Sequence, residues 1–156
     1  MSEDATVHRY RAVCEWHGTT ADGYETYDRT HALSCPPAGT GLALSADPAF
    51  KGDPAHLNPE QLLLAAAASC QLLSFLAVAA RARVVVTAYR DDAEADMPHD
   101  ARPIRITAIR LRPQVTVAPG TDEAQVHTLT RLAHEHCFIA NTLACDVSVE
   151  ARVTVA

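Results

Sequence analysis

NPEQLLLAAAASCQLLSFLAVAARAR, the run from Asn58 to Arg83, decides the fold of this chain. Asn58 is a favoured helix cap, Pro59 suits the first helical position, where its missing N–H costs nothing, and Glu60 sets a negative charge by the positive end of the helix dipole. A helix therefore starts here. From Leu62 to Ala80 no side chain is formally charged, so no polar stripe marks a solvent face, and the helix needs cover on nearly all sides. A core helix and a membrane span are the two ways to supply that cover. The uncharged length approaches the roughly 20 residues that cross a bilayer. However, Ala dominates it, Ser69, Gln71 and Ser74 interrupt it, and no Trp or Tyr flanks it, which favours the core helix. Cys70 sits mid-helix among Ala66, Ala67, Ser69 and Ser74, with room beside its thiol for a substrate. On the helix alone a packed structural cysteine is the simpler reading, because free Cys is among the most buried residue types.

Upstream, Val7 to Trp16 alternates, with Tyr10, Ala12, Cys14 and Trp16 on one side, which predicts a half-buried strand. Turn residues at His17-Gly18 and Asp22-Gly23 lead to a second strand from Tyr24 to Leu33 that carries Arg29. A short third strand is expected over Gly41 to Ser45, before a loop into the Asn58 cap. Downstream, Val84 to Tyr89 is β-branched and Asp91 to Asp100 reads as an exposed acidic turn. Ile104 to Val117 reads as one strand whose alternation changes phase near Thr107 and Ala108, as at a bulge, with Pro113 marking its far half as an edge. Thr121 is the expected cap of a second helix running to Cys137, followed by a short helix from Phe138 to Leu143. Val147, Val149, Ala151, Val153 and Val155 then alternate with polar residues in a last strand. The order βββ, α, ββ, α, β is an α+β pattern.

With 156 residues and no long linker, one domain spanning residues 1–156 is expected. The N-terminal stretch lacks an apolar signal core, which points to a cytoplasmic protein. The 13 basic and 19 acidic residues leave a net charge of −6, with Lys51 the only lysine, so nucleic acid is not an expected partner. The five cysteines, Cys14, Cys35, Cys70, Cys137 and Cys145, contain no C-x-x-C pair and fit neither a secreted disulfide framework nor a zinc ribbon.

A thiol nucleophile must first become a thiolate, which an ordinary Cys does little near neutral pH without a cation or a helix N-terminus beside it. Cys70 lies about three turns from the start of its own helix, so its helix gives no such help and an arginine from elsewhere is needed. Cys137, next to His136 at the start of the Phe138 to Leu143 helix, is the better placed by local structure. Packing remains the simpler account of each thiol taken singly. A zinc site from His134, His136 and Cys137 is disfavoured by the adjacency of its ligands, and no metal or cofactor is expected.

Asn58-Pro59-Glu60 before an Ala/Leu-rich helix with Ser69-Cys70, then Ala133-His134 leading to Cys137-Phe138-Ile139-Ala140-Asn141 and a final alternating strand, resembles the OsmC/Ohr superfamily over nearly the whole chain. The resemblance implies antiparallel sheets packed around a long buried central helix. It implies also that Cys70 reacts with peroxide, that Cys137 resolves it to a disulfide, and that an arginine paired with Glu60 activates Cys70. Arg29, within Tyr27-Asp28-Arg29-Thr30-His31, is the matching arginine. The chain departs from the Ohr pattern in lacking a Gly-Arg-x-Gly setting for this arginine and in carrying Phe138 where a proline commonly follows the second cysteine. On this reading the protein is a thiol-dependent peroxidase acting on organic hydroperoxides or hydrogen peroxide, regenerated by an external thiol or dithiol. The rival is a non-catalytic module that holds a small apolar ligand beside the Ala-lined helix. Cys14, Cys35 and Cys145 match nothing in the pattern and read as packing thiols, and His31 as a neighbour of the site.

Ten residues of one helix separate Glu60 from Cys70, roughly 15 Å along the axis. If both serve one site, two copies of the helix must pack antiparallel about a two-fold axis, which makes an intertwined homodimer the expected unit.

Overall fold

The computed structural model describes residues 7–156, and its contacts divide into two compact units at the Gln61–Leu62 bond. The first unit carries an antiparallel meander of β1 (Val13–Glu15), β2 (His31–Ser34) and β3 (Gly41–Leu44), with Cys14 opposite Leu33 and His31 opposite Leu44. Both leading strands are shorter than their alternation predicts. Side chains capture the backbone there: the Trp16 indole N–H donates to the Asp28 carbonyl at 2.7 Å, and the Asp28 carboxylate accepts the Thr30 N–H at 2.8 Å. Such local bonds replace a strand ladder. After β3, Ser45 N–H donates to the Leu57 carbonyl at 2.9 Å, and Asp47 caps a 3-10 turn at Pro48–Phe50. A β-carbon at Gly52 would fall 1.6 Å from the Ala46 carbonyl oxygen, so only glycine lets this loop fold back on itself.

The central helix α1 (Pro59–Arg81) opens on a reciprocal cap: Asn58 Oδ1 accepts the Gln61 N–H at 2.8 Å, and Gln61 Oε1 accepts the Asn58 N–H at 3.0 Å. This is a capping box with Gln in place of Glu. In the second unit α1 buries one stripe, Ala67, Gln71, Phe75 and Ala79. Leu63, Leu73 and Leu76 stay exposed, Leu73 at 64%. The expectation of cover on nearly every side is thus not met within one chain. By length and composition α1 could also cross a membrane.

Beyond α1 come β4 (Val86–Asp91), β5 (Glu94–Asp96), β6 (Ala108–Leu111), β7 (Pro113–Val117), α2 (Glu123–Glu135), α3 (Phe138–Thr142), β8 (Asp146–Val149) and β9 (Arg152–Val155). They form two three-stranded sheets, β4-β7-β9 and β5-β6-β8. The sheets are mixed: β8 runs parallel to β6 and β9 parallel to β7, while the other pairs are antiparallel. The α+β class with antiparallel pairing holds, and parallel pairs are added because the last strand lies alongside the Ala108–Val117 segment in the same direction. Each of these two long segments changes sheet part-way, at Arg112 and around Glu150.

Three local expectations are corrected. Pro113 is buried in the central strand of its sheet, tolerated as the first residue of β7 and not on an edge. The irregular register falls in β4 between Val86 and Ala88, not at Thr107. Asp122 caps α2, its carboxylate accepting the Ala124 N–H at 3.0 Å, while the Thr121 hydroxyl donates to the Ala118 carbonyl. The acidic segment after Asp91 also contains β5, fixed by the Arg110 fork on the Asp96 carboxylate at 2.6 and 2.9 Å.

The second unit has two cores. Phe75 and Ala79 of α1 pack with Val115, Val117, Val126, Leu129 and Ala133, and Ala67 packs with Ile109 and Leu111. α1 therefore fastens each sheet through a different turn, and Phe75, fully buried, contributes roughly 1.5–3 kcal/mol by transfer alone.

Candidate functional site

In the second unit α1 sets Cys70 half-buried at the margin of its buried stripe, one residue before Gln71. The first backbone amides of α3 reach it. Burial by itself pushes the Cys70 thiol up, but the Ile139 N–H, the Cys137 S–H, the Phe138 N–H and the Ser74 hydroxyl all donate to its sulfur, and together they leave it below the ordinary thiol range. The sulfur thus gains a helix start after all, that of α3 and not of its own helix. Cys137 moves the other way. It is wholly buried, and burial pushes its thiol up; an Ala140 N–H bond opposes this, while donation to Cys70 reinforces it. Local sequence favoured Cys137 as the more acidic thiol. The structure reverses that order, because Cys137 caps α3 from inside the core, whereas Cys70 collects the donors.

Cys70 opens onto a cavity of about 510 Å³ lined also by Leu73, Ala77, Val78, Arg81 and Phe138. Phe138 is 81% exposed, an apolar lip beside the thiol. Arg81 was not singled out from the sequence. It stands eleven residues after Cys70, roughly 16 Å along the helix.

In the first unit Arg29 and Glu60 line one cavity of about 460 Å³, with Cys14, Trp16, Tyr27 and Phe50 among its walls. The guanidinium is held before any substrate arrives. It donates to the Tyr27 carbonyl at 2.7 Å and the Tyr24 carbonyl at 2.6 Å, and lies 3.9 Å and 4.8 Å from the centres of the Tyr27 and Tyr24 rings. Aromatic faces and carbonyl oxygens both favour a cation. His31 joins this segment by a 2.9 Å bond from Nδ1 to the Arg29 carbonyl. The four residues singled out thus form two pairs: Cys70 with Cys137 in one unit, Arg29 with Glu60 in the other.

Cys14 shares the Arg29 cavity, Cys35 is exposed, and Cys145 packs against the Ala67 core. Among the described residues no three His, Cys, Asp or Glu side chains gather as a metal site, His134, His136 and Cys137 included.

Residues 51–152 match the model of the family described as OsmC-like protein. The chain belongs to the OsmC-like protein family. Among solved structures it is similar to an OsmC-like protein of unknown function from Vibrio cholerae, with 29% identity over 94% of this chain and all of that one, at a TM-score of 0.83. It shares its fold with an organic hydroperoxide resistance protein from Legionella pneumophila (19% identity, 96% and 99% of the two chains, TM-score 0.68). Another such protein, from Elizabethkingia anophelis, has the same fold (15% identity, 97% and 99%, TM-score 0.72). No curated protein sequence matches. The family's fold accounts for the long helix that follows the first three strands in the chain and precedes the other six.

Proposed function

We propose that this OsmC-like protein is a cysteine-based peroxidase for organic hydroperoxides or hydrogen peroxide. The observation that carries the reading is the opposite tuning of two touching thiols: Cys70 is made more acidic by four donors, and Cys137 less acidic by burial. A nucleophile needs the first condition, and a resolving thiol that must wait its turn tolerates the second. The Cys70 thiolate attacks one peroxide oxygen, the O–O bond breaks, and the alkoxide or hydroxide leaves and takes up a proton. Cys70 is now a sulfenic acid. Cys137 attacks its sulfur, the S–S bond forms, the S–O bond breaks and water departs. An external thiol or dithiol returns both sulfurs to the reduced state. The apolar cavity lining and the exposed Phe138 favour substrates with a hydrocarbon tail.

Arg29 and Glu60 serve as the cationic partner of the thiolate and its anchor. Because ten helical residues part Glu60 from Cys70, the working unit in this reading is a homodimer in which one chain's Arg29 and Glu60 face the other chain's Cys70. The exposed Leu63, Leu73 and Leu76 of α1 support it, as an apolar stripe that a soluble chain would cover with a second copy.

Stopped-flow oxidation of the reduced protein, with cumene hydroperoxide and hydrogen peroxide in parallel, tests the reading. Rapid single-turnover oxidation of Cys70 followed by a Cys70–Cys137 disulfide is expected. A Cys70 left unmodified by both peroxides would instead support the ligand-binding module of the same fold.

A further inference from the structure

The buried stripe of α1 carries one polar side chain, Gln71, between Ala67 and Phe75. Those two neighbours belong to different cores, Ala67 to the one around Ile109 and Leu111, Phe75 to the one with Val126, Leu129 and Ala133 of α2. Gln71 therefore stands at the seam between them, fully buried. Its Nε2 donates to the Thr130 carbonyl of α2 at 3.2 Å, and its Oε1 is buried without a protein partner. Among the described residues no other side-chain hydrogen bond joins α1 to α2.

Stability does not explain this residue. The Thr130 carbonyl lies inside α2, whose pitch already pairs it with the His134 N–H, while the Gln71 amide oxygen is taken out of water with nothing in return. An apolar side chain of the same length would fill the seam at lower cost. What the bond adds is direction. Apolar contacts such as those of Phe75 tolerate a slide of one helix along the other, because burial is non-directional, whereas a hydrogen bond weakens steeply as its angle changes. The bond also sits where direction counts. Gln71 directly follows Cys70, and Thr130 lies seven residues before Cys137. That path stays tightly bonded to its end: His136 N–H donates to the Leu132 carbonyl at 3.2 Å and Cys137 N–H to the His134 carbonyl at 3.1 Å. Each of the two thiols that meet is thus carried by one end of this clamp.

We propose that Gln71 is a positioning residue for the Cys70–Cys137 pair, its bond to Thr130 fixing α2 on α1 so that the two sulfurs are held together for disulfide formation. For its place in the reaction the inference rests on the peroxidase reading above, in which the Cys137 sulfur attacks the Cys70 sulfenic acid, the S–S bond forms, the S–O bond breaks and water leaves.

Equilibration of the full chain in buffers of reduced and oxidised glutathione reads the pairing without any peroxide. The two thiols give two electrons and two protons to glutathione disulfide, which becomes two glutathione thiols, and the S–S bond forms. In Gln71→Met and Gln71→Leu the equilibrium constant for this disulfide should fall by roughly 10-fold, because small misplacements of paired groups cost that much or more. The reduction potential then rises by about 30 mV. The melting temperature of the reduced variants should stay level or rise. Phe75→Leu, which loosens the neighbouring core and leaves the clamp in place, should show the opposite pattern, a lower melting temperature with an equilibrium within about two-fold of wild type. A wild-type equilibrium in both Gln71 variants overturns the inference. A melting temperature that falls together with the equilibrium makes Gln71 structural and overturns it too, as does an equal shift of the equilibrium in Phe75→Leu. If peroxide leaves wild-type Cys70 unmodified, the peroxidase reading falls, and the glutathione equilibrium still decides the role of Gln71.

Discussion

The Cys137 thiol donates a hydrogen bond to the Cys70 sulfur, and this one contact helps move the two acidities apart, favouring the Cys70 thiolate and holding the proton on Cys137. Two thiols that share one hydrogen bond cannot both be good acids, so the pair enters a reaction with its roles assigned.

Cys70→Ser should therefore abolish peroxide turnover, since an alcohol supplies neither the acidity nor the polarisability of the thiol. Cys137→Ser should differ in kind. It keeps one rapid oxidation of Cys70 and then stalls as sulfenic acid or passes to higher oxides. Intact-mass spectrometry after one equivalent of peroxide checks both, and a turnover-competent Cys70→Ser would refute the assignment.

The pH at which Cys70 becomes reactive should lie below that of the same thiol without its hydrogen-bond donors. The sign follows from its donors: Ile139 N–H, Cys137 S–H, Phe138 N–H and the Ser74 hydroxyl outweigh burial. Ser74→Ala removes one donor, and should move the midpoint of iodoacetamide alkylation upward while leaving the plateau rate intact. An unchanged midpoint would mean that the amides of α3 and the Cys137 thiol set the acidity without Ser74.

Half of this arrangement was legible in the sequence. The helix start at Asn58-Pro59-Glu60 follows from local chemistry, because capping acts over three or four residues, whereas Cys70 and Cys137 are singled out as a pair only by the resemblance to the OsmC/Ohr superfamily. The amides that tune Cys70 come from Phe138 and Ile139, some seventy positions away, and no local rule carries that far. The same limit hid the sheet order. Val147 to Val155 alternates as one strand, yet β8 and β9 join different sheets, because the partner segment Ala108–Val117 itself changes sheet at Arg112. Pro113 misled for a related reason: a missing N–H excludes a ladder position only where the partner carbonyl needs it, and the first residue of β7 is not such a place.

Phe75 joins α1 to the β4-β7-β9 sheet and α2 in one core, so Phe75→Ala should cost about 3–5 kcal/mol in urea unfolding. Phe75→Leu should cost visibly less. A loss under 1 kcal/mol would show that this core can collapse around the cavity.

Asp91 provides a pH test of stability. Burial raises its proton affinity in the folded chain, so the protonated carboxyl is the form folding favours. Its contribution is present below the unfolded-state carboxylate range and is lost as pH rises through the higher folded value. Asp91→Asn should consequently raise the melting temperature at pH 7 relative to wild type and change it little at pH 3. The reverse order, a gain only in acid, would contradict the burial account.

Arg29 is already fixed by the Tyr24 and Tyr27 carbonyls and rings, and this makes the dimer testable through charge. If Arg29 of one chain activates Cys70 of the other, Arg29→Ala should slow Cys70 oxidation more than Arg29→Lys, because lysine keeps the cation but loses the planar fork. Mixing Arg29→Ala chains with Cys70→Ser chains should then restore activity, since half of the sites in each mixed dimer draw an intact arginine and an intact thiol from opposite chains. Leu73, 64% exposed on α1, gives the independent arm. Leu73→Glu places a charge in the stripe that a second helix would cover, and should shift the sedimentation coefficient to that of a single 16.8 kDa chain, with loss of rapid Cys70 oxidation. An active monomer, or mixed chains that exchange subunits without recovering activity, would refute the shared site and return Glu60 to a helix-start charge with no part in the chemistry.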